Sequence, residues 1–112
     1  MPRVSVNENR ASPQSPDGAG GDVWQSRTVT IVNRRGLHAR AAAKFAQLAS
    51  GFDAEVTVTR KDMTVTADSI MGLMMLAAAP GSDLELKARG PAATTVLEAL
   101  AALVANRFDE DV

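Results

Sequence analysis

The sequence predicts an open-faced α+β sandwich: a four-stranded antiparallel sheet with three helices on one face and water on the other. Three observations carry that prediction. Four short segments, "RTVTIV", "EVTVTR", "DMTVTA" and "DLELKA", alternate apolar and polar residues as half-buried strands do. Three further segments have helical spacing or composition, and they interleave with the strands in the order β-α-β-β-α-β-α. Each strand keeps one polar face, which suits an antiparallel sheet covered on one side only.

Residues 1–24 stand apart from this pattern. Pro2, Pro13, Pro16, Gly18, Gly20 and Gly21 lie among Ser, Asn and Gln, with no hydrophobic period. They read as a disordered tail, and residues 25–112 as the single folded domain. The chain has 112 residues, a formal net charge of -1 and no cysteine. The charge gives no general attraction to nucleic acid or acidic lipid. Without cysteine there is no disulfide, no thiol catalysis and no cysteine-based metal site. No signal peptide is evident, and the longest near-apolar run, Ile70 to Ala79, is far short of the roughly 20 residues of a membrane helix. The expectation is a soluble cytoplasmic monomer with no membrane insertion.

Taken in order, "RTVTIV" is the first strand and "NRRG" ends it. From His38 to Ser50 the composition turns helical, with Gly51 where a helix ends. Arg40, Lys44 and Gln47 share one stripe of this helix. Ala39, Ala42, Ala46 and Ala49 share another, near Phe45 and Leu48, and their small size predicts close packing on a neighbour. "EVTVTR" and "DMTVTA" flank a polar break at Lys61 and read as a hairpin, with Val56, Val58, Met63 and Val65 on its inner face. "DSIMGLMMLAAAPG" follows as a helix of about two turns, capped by Asp68 or Ser69 and stopped by Pro80-Gly81. After the strand "DLELKA", Pro91 opens a last helix whose apolar stripe is Val96, Leu97, Leu100, Leu103, Val104 and Phe108.

The chemistry centres on His38, the only histidine of the chain. A lone histidine is ordinarily a surface or core residue without chemistry, and fold patterning alone says nothing of function. Its neighbours change that reading. Gly36 permits a turn that other residues resist. His38 then falls at the N-cap or first turn of a helix, where unpaired amides and the dipole favour anions. Arg40 offers a planar fork of donors suited to phosphate, and Arg34, Arg35 and Lys44 add positive charge. An imidazole of ordinary pKa, about 6.5, is largely neutral at pH 7 and nucleophilic without a dedicated base. It is suited to accepting a phosphoryl group covalently. No Walker loop, GxGxxG or obvious carboxylate pair accompanies it, so phosphate is held here rather than taken unaided from a nucleotide.

"GLHARAA", followed about thirty residues later by "SIMGLMML", resembles the HPr/NPr family of phosphocarriers of the bacterial phosphotransferase system over about residues 26 to 108. The family's fold, the HPr-like open-faced sandwich, agrees with the element order above. The resemblance implies that His38 is phosphorylated through Nδ1 and that Arg40 clamps the phosphate. It implies Enzyme I as phosphoryl donor and an enzyme IIA-type protein as acceptor, with no cofactor and no metal. The protein is then a carrier within a relay rather than a free-standing enzyme. The sequence departs from the family at Ala41, where proline usually follows the arginine. Alanine restores an N–H near the phosphate and loosens the turn.

The resemblance also makes Ser69 a regulatory phosphorylation site for HPr kinase/phosphorylase, beside its local reading as a helix cap. It implies a partner interface of Ala39, Ala41, Lys44, Ile70, Met71 and Met74. Methionines at helical spacing are more often core, and at least one of Met71, Met74 and Met75 is expected there. Two other readings stand beside the carrier. One is a nitrogen-type regulatory paralogue that binds proteins according to its phosphorylation state, without sugar transport. The other is a nucleic-acid binder using Arg34, Arg35, Arg40 and Lys44, which lacks interleaved aromatics and a basic balance.

Overall fold

The computed structural model describes residues 23–110, so the expected tail lies outside the described residues except for Val23 and Trp24. Strand β1 (Gln25–Thr30) pairs with β4 (Asp83–Arg89), β4 with β2 (Glu55–Arg60), and β2 with β3 (Met63–Thr66), every pair antiparallel. The order across the sheet is β1-β4-β2-β3. Helices α1 (Ala39–Ser50), α2 (Ile70–Met75) and α3 (Ala93–Ala105) complete the predicted sandwich.

Alternation decides which side chains meet. Val29 lies opposite Leu84, and Val58 opposite both Leu86 and Val65, on the face that the helices cover. The opposite face carries threonines, among them Thr59 and Thr64 with their hydroxyls 2.7 Å apart, and Thr30, whose Oγ1 donates to Asp83 Oδ1 at 2.7 Å. At one end of this face the Arg89 guanidinium sits 4.6 Å over the Trp24 ring and donates to Glu55 at 2.9 Å.

Helix α1 packs beside α2 and α3, and α3 lies on β1 and β4. The buried stripe of α1 is Ala41, Ala42, Phe45, Ala46 and Ala49. Small alanines bring its backbone close to its neighbours, and fully burying a side chain such as Phe45 stabilises by roughly 1.5–3 kcal/mol. Ala39, expected on that stripe, is instead exposed, and Ala41 takes the inward place. Met63 is also exposed: it pairs with Arg60 at the end of the edge strand, beyond the stretch of β2 that β4 covers.

The short helix α2 stops before Pro80-Gly81. Leu76 is its C-cap, and Ala77 adopts a left-handed φ of 52°, so the reversal is complete before the proline. Leu73 and Leu76 take the inward positions. Met71, Met74 and Met75 are all exposed, contrary to the expectation that at least one is core.

The last helix ends at Ala105, earlier than its apolar stripe implies. Phe108 does reach the core, but by a different route. Arg107, Phe108 and Asp109 all have positive φ (58°, 54° and 63°), forming a left-handed turn of three non-glycine residues. Such a conformation costs about 1–2 kcal/mol per residue and persists only where its surroundings hold it. Phe108 is fully buried, and its carbonyl accepts a 2.9 Å hydrogen bond from Lys44 Nζ. This turn points the following residue, Glu110, back towards the start of α1.

Candidate functional site

The approach to α1 is fixed by its backbone. Gly36 has φ 69°, and a Cβ added there would lie 2.5 Å from the carbonyl oxygen of Ala78, so only glycine fits. The next amide, Leu37 N–H, donates to that same carbonyl at 2.9 Å, and the Leu37 side chain is buried. The segment after α2 is thereby bound to the segment before α1. Asn33, fully buried, donates from Nδ2 to Gly36 O at 2.8 Å and to Glu110 Oε1 at 3.1 Å. Those two acceptors fix which way its amide faces and leave Oδ1 without a partner among the described residues.

His38 is the N-cap of α1, in extended conformation, and its side chain does not cap the helix. Its carbonyl accepts from Ala42 N–H at 2.8 Å, which leaves the amides of Ala39, Arg40 and Ala41 without intrahelical acceptors. Those amides and the helix dipole favour an anion beside the imidazole. Arg40 is exposed and makes no ion pair among the described residues, so its guanidinium is available to such an anion. Arg34 and Arg35 are exposed nearby in sequence.

The imidazole has one partner that sequence reasoning missed. His38 Nε2 is hydrogen-bonded to Glu110 Oε2, across 72 positions of chain. Among the described residues Nδ1 has no partner. Burial works to raise the Glu110 pKa. Hydrogen bonds from His38 and Asn33, with the charges of His38 and Arg35, outweigh it and hold the carboxyl below its ordinary value. No local motif announces this contact. A terminal acidic run after a buried phenylalanine is the only hint in the sequence, and it takes the left-handed turn to bring the carboxylate round.

The other expected site residues divide. Ile70, Met71 and Met74 are exposed on α2, with Met71 73% accessible, and form an apolar patch on the helix that packs against α1. Ala39 is accessible, but Ala41 is wholly buried and its side chain cannot touch a partner. Lys44 is half-buried, bound to Phe108 O and 4.0 Å from Asp109, so part of its charge is spent within the chain. Ser69 is the N-cap of α2: its Oγ accepts from Gly72 N–H at 3.0 Å. The alternative cap, Asp68, is exposed and not used.

The His38 side chain is largely buried, 15% accessible, at the head of α1. A cleft of about 290 Å³ lined by Phe52, Glu55 and Asp68 lies at the far end of α1, away from it. His38 thus heads a helix N-terminus suited to an anion and lines no part of that cleft, and residues 25–106 match the family model described as the PTS HPr component phosphorylation site. The chain belongs to the HPr family.

Similar proteins agree with that assignment. The chain is 51% identical over 84 residues to the phosphocarrier protein HPr of Cupriavidus necator, covering 75% of this chain and 94% of that one. It is 48% identical over 84 residues to the phosphocarrier protein NPr of Shewanella violacea, covering 75% and 92%. The crystal structure of HPr-C-His from Thermoanaerobacter tengcongensis superposes with a TM-score of 0.75 at 38% identity, covering 79% of this chain and 99% of that chain. Proteins of the HPr family are phosphocarriers of the phosphotransferase system rather than catalysts in their own right. Among the described residues no helix is long and apolar enough to cross a membrane.

Proposed function

We propose that this HPr-family chain carries a phosphoryl group on Nδ1 of His38, received from phosphorylated Enzyme I and passed to an enzyme IIA-type acceptor. The observation that carries this reading is the position of the imidazole: His38 is the N-cap of α1, ahead of three amides without intrahelical acceptors and two residues before Arg40, and among the described residues Nδ1 has no partner and Arg40 no ion pair. In the forward step the Nδ1 lone pair attacks phosphorus. The bond from phosphorus to the donor breaks, and its electron pair leaves with the donor. Arg40 and the amides balance charge on the phosphoryl oxygens. The part of the imidazole that reaches the surface meets donor and acceptor in turn, and the apolar patch of Ile70, Met71 and Met74, with Ala39, is the docking surface.

Ser69 has a second role in this reading, as a site for HPr kinase/phosphorylase. Its place between the patch and the head of α2 supports control of docking rather than of folding. A nitrogen-type branch without sugar transport is a second reading, favoured by the near-equal identity to relatives named HPr and NPr. Cytoplasmic action accords with the reading in either branch.

The experiment is direct. The protein is mixed with Enzyme I and phosphoenolpyruvate, and intact mass is followed for one acid-labile, base-stable phosphate. His38→Ala should remain folded and accept none. Normal charging of that variant ends the carrier reading. Competition between sugar-type and nitrogen-type IIA acceptors for the charged protein then separates the two branches.

A further inference from the structure

We infer that Glu110 is a positioning residue for His38: it holds the imidazole in the tautomer that carries its proton on Nε2, and so presents Nδ1 as the nucleophile. The inference deepens the carrier reading and rests on it for its functional consequence, though not for its structural claim.

An ionised carboxylate can only accept hydrogen bonds. Because Glu110 Oε2 lies on Nε2, the proton of the neutral ring sits on Nε2 and the lone pair sits on Nδ1. The carboxylate is itself fixed from both sides. Oε1 accepts from the buried amide of Asn33, which also holds the carbonyl of Gly36, and Oε2 takes His38. One asparagine thus ties the loop before the histidine to the carboxylate behind it. The left-handed turn, anchored by buried Phe108 and by Lys44, supplies the carboxylate from the far end of the chain.

The same contact suits both directions of transfer. When Nδ1 takes the phosphoryl group, the ring becomes an imidazolium whose remaining proton already lies on Nε2 and faces a negative charge. When the phosphoryl group leaves, the P–N bond breaks and its electron pair returns to Nδ1, giving neutral imidazole with no proton to move. Without a partner for Nε2, a fraction of the rings places the proton on Nδ1 and cannot attack. The arrangement parallels the way a carboxylate behind a histidine selects its tautomer in other sites.

The test reads the ring and the reaction separately. Long-range nitrogen–proton NMR correlations of the single histidine, in a solution basic enough to leave the ring neutral, should show the Nε2–H form alone in the wild type. Glu110→Ala should show a measurable Nδ1–H fraction. Glu110→Gln, which preserves shape and the contact to Asn33 but removes the charge, should fall between them. In charging by Enzyme I and phosphoenolpyruvate, Glu110→Ala should lower kcat at least fivefold with KM for Enzyme I unchanged. An unchanged tautomer pattern in Glu110→Ala overturns the inference, and so does a charging defect confined to KM. If the wild type accepts no phosphate, the carrier reading fails, while the NMR measurement still decides whether Glu110 sets the ring.

Discussion

Lys44 Nζ donates to the carbonyl oxygen of Phe108 at 2.9 Å, tying the second turn of α1 to the left-handed turn that ends the fold. The helix that begins at His38 therefore also holds the segment that returns Glu110 to His38. Removing the donor should loosen that segment. Lys44→Met should cost about 1 kcal/mol, the net worth of a typical hydrogen bond, by urea unfolding. Phe108→Ala should cost about 3–5 kcal/mol, because it opens a cavity where the side chain is fully buried. A Lys44→Met variant with unchanged stability and a tenfold higher KM for Enzyme I would show instead that Lys44 serves the partner.

Much of the architecture was legible because threonine and valine alternate so regularly. A one-residue slip in β2 would turn Val56 and Val58 into water, so the pattern specifies the register as well as the strand. His38 was legible for a local reason: glycine, histidine and arginine stand within five residues of chain at a helix start. Glu110 was not, because its contact is closed by topology and by three left-handed residues of which none is glycine. The methionines misled in another way. Leu73 on the six-residue helix and Leu76 at its C-cap face inward, and that leaves Met71, Met74 and Met75 outside. Helical spacing alone does not say which of two apolar sets faces inward.

Acid should weaken the link between Glu110 and His38. The folded carboxyl lies below its ordinary value, about 4.3 for a glutamate. The stability it contributes is thus fully present above that value and is lost as pH falls through the lowered one. In unfolding measurements across pH, the wild type should exceed Glu110→Gln in full above the ordinary glutamate value, and the margin should shrink as pH falls below it. A margin that stays undiminished at every acidic pH at which the protein folds would show that the ionised carboxylate is not its source.

Arg40 is exposed and makes no ion pair among the described residues, so its loss should touch transfer and not folding. Arg40→Ala should leave the unfolding midpoint within experimental error. Charging of His38 should slow by an order of magnitude or more, as expected when a charge-assisted phosphate clamp is removed. A large fall in melting temperature with normal charging would make Arg40 a structural residue.

The patch on α2 makes the converse prediction. Met71 is 73% accessible, so Met71→Asp should alter stability by no more than about 0.5 kcal/mol, as surface substitutions usually do. A charge placed in an apolar docking surface should raise KM for Enzyme I severalfold and leave kcat nearly unchanged. Wild-type KM would remove this face from the docking surface.

Ser69 separates capping from regulation. Its Oγ accepts the amide of Gly72, and Ser69→Ala should cost about 1 kcal/mol of stability, as the loss of an N-cap does. If capping were its whole role, charging of His38 in that folded variant would be the only further observation needed, and it should be normal. Phosphorylation brings a different force. A phosphate at this position meets the first amides of α2, so the fold should survive. It also adds about two negative charges beside Ile70 and Met71, on the apolar patch. A partner that docks over Arg34, Arg35 and Arg40 is expected to present acidic groups, and those would be repelled and left imperfectly solvated. Ser69→Asp should therefore fold normally and charge more slowly, with the defect in KM for Enzyme I, and enzymatically phosphorylated Ser69 should show the larger effect. Wild-type charging by both forms would reduce Ser69 to a helix cap.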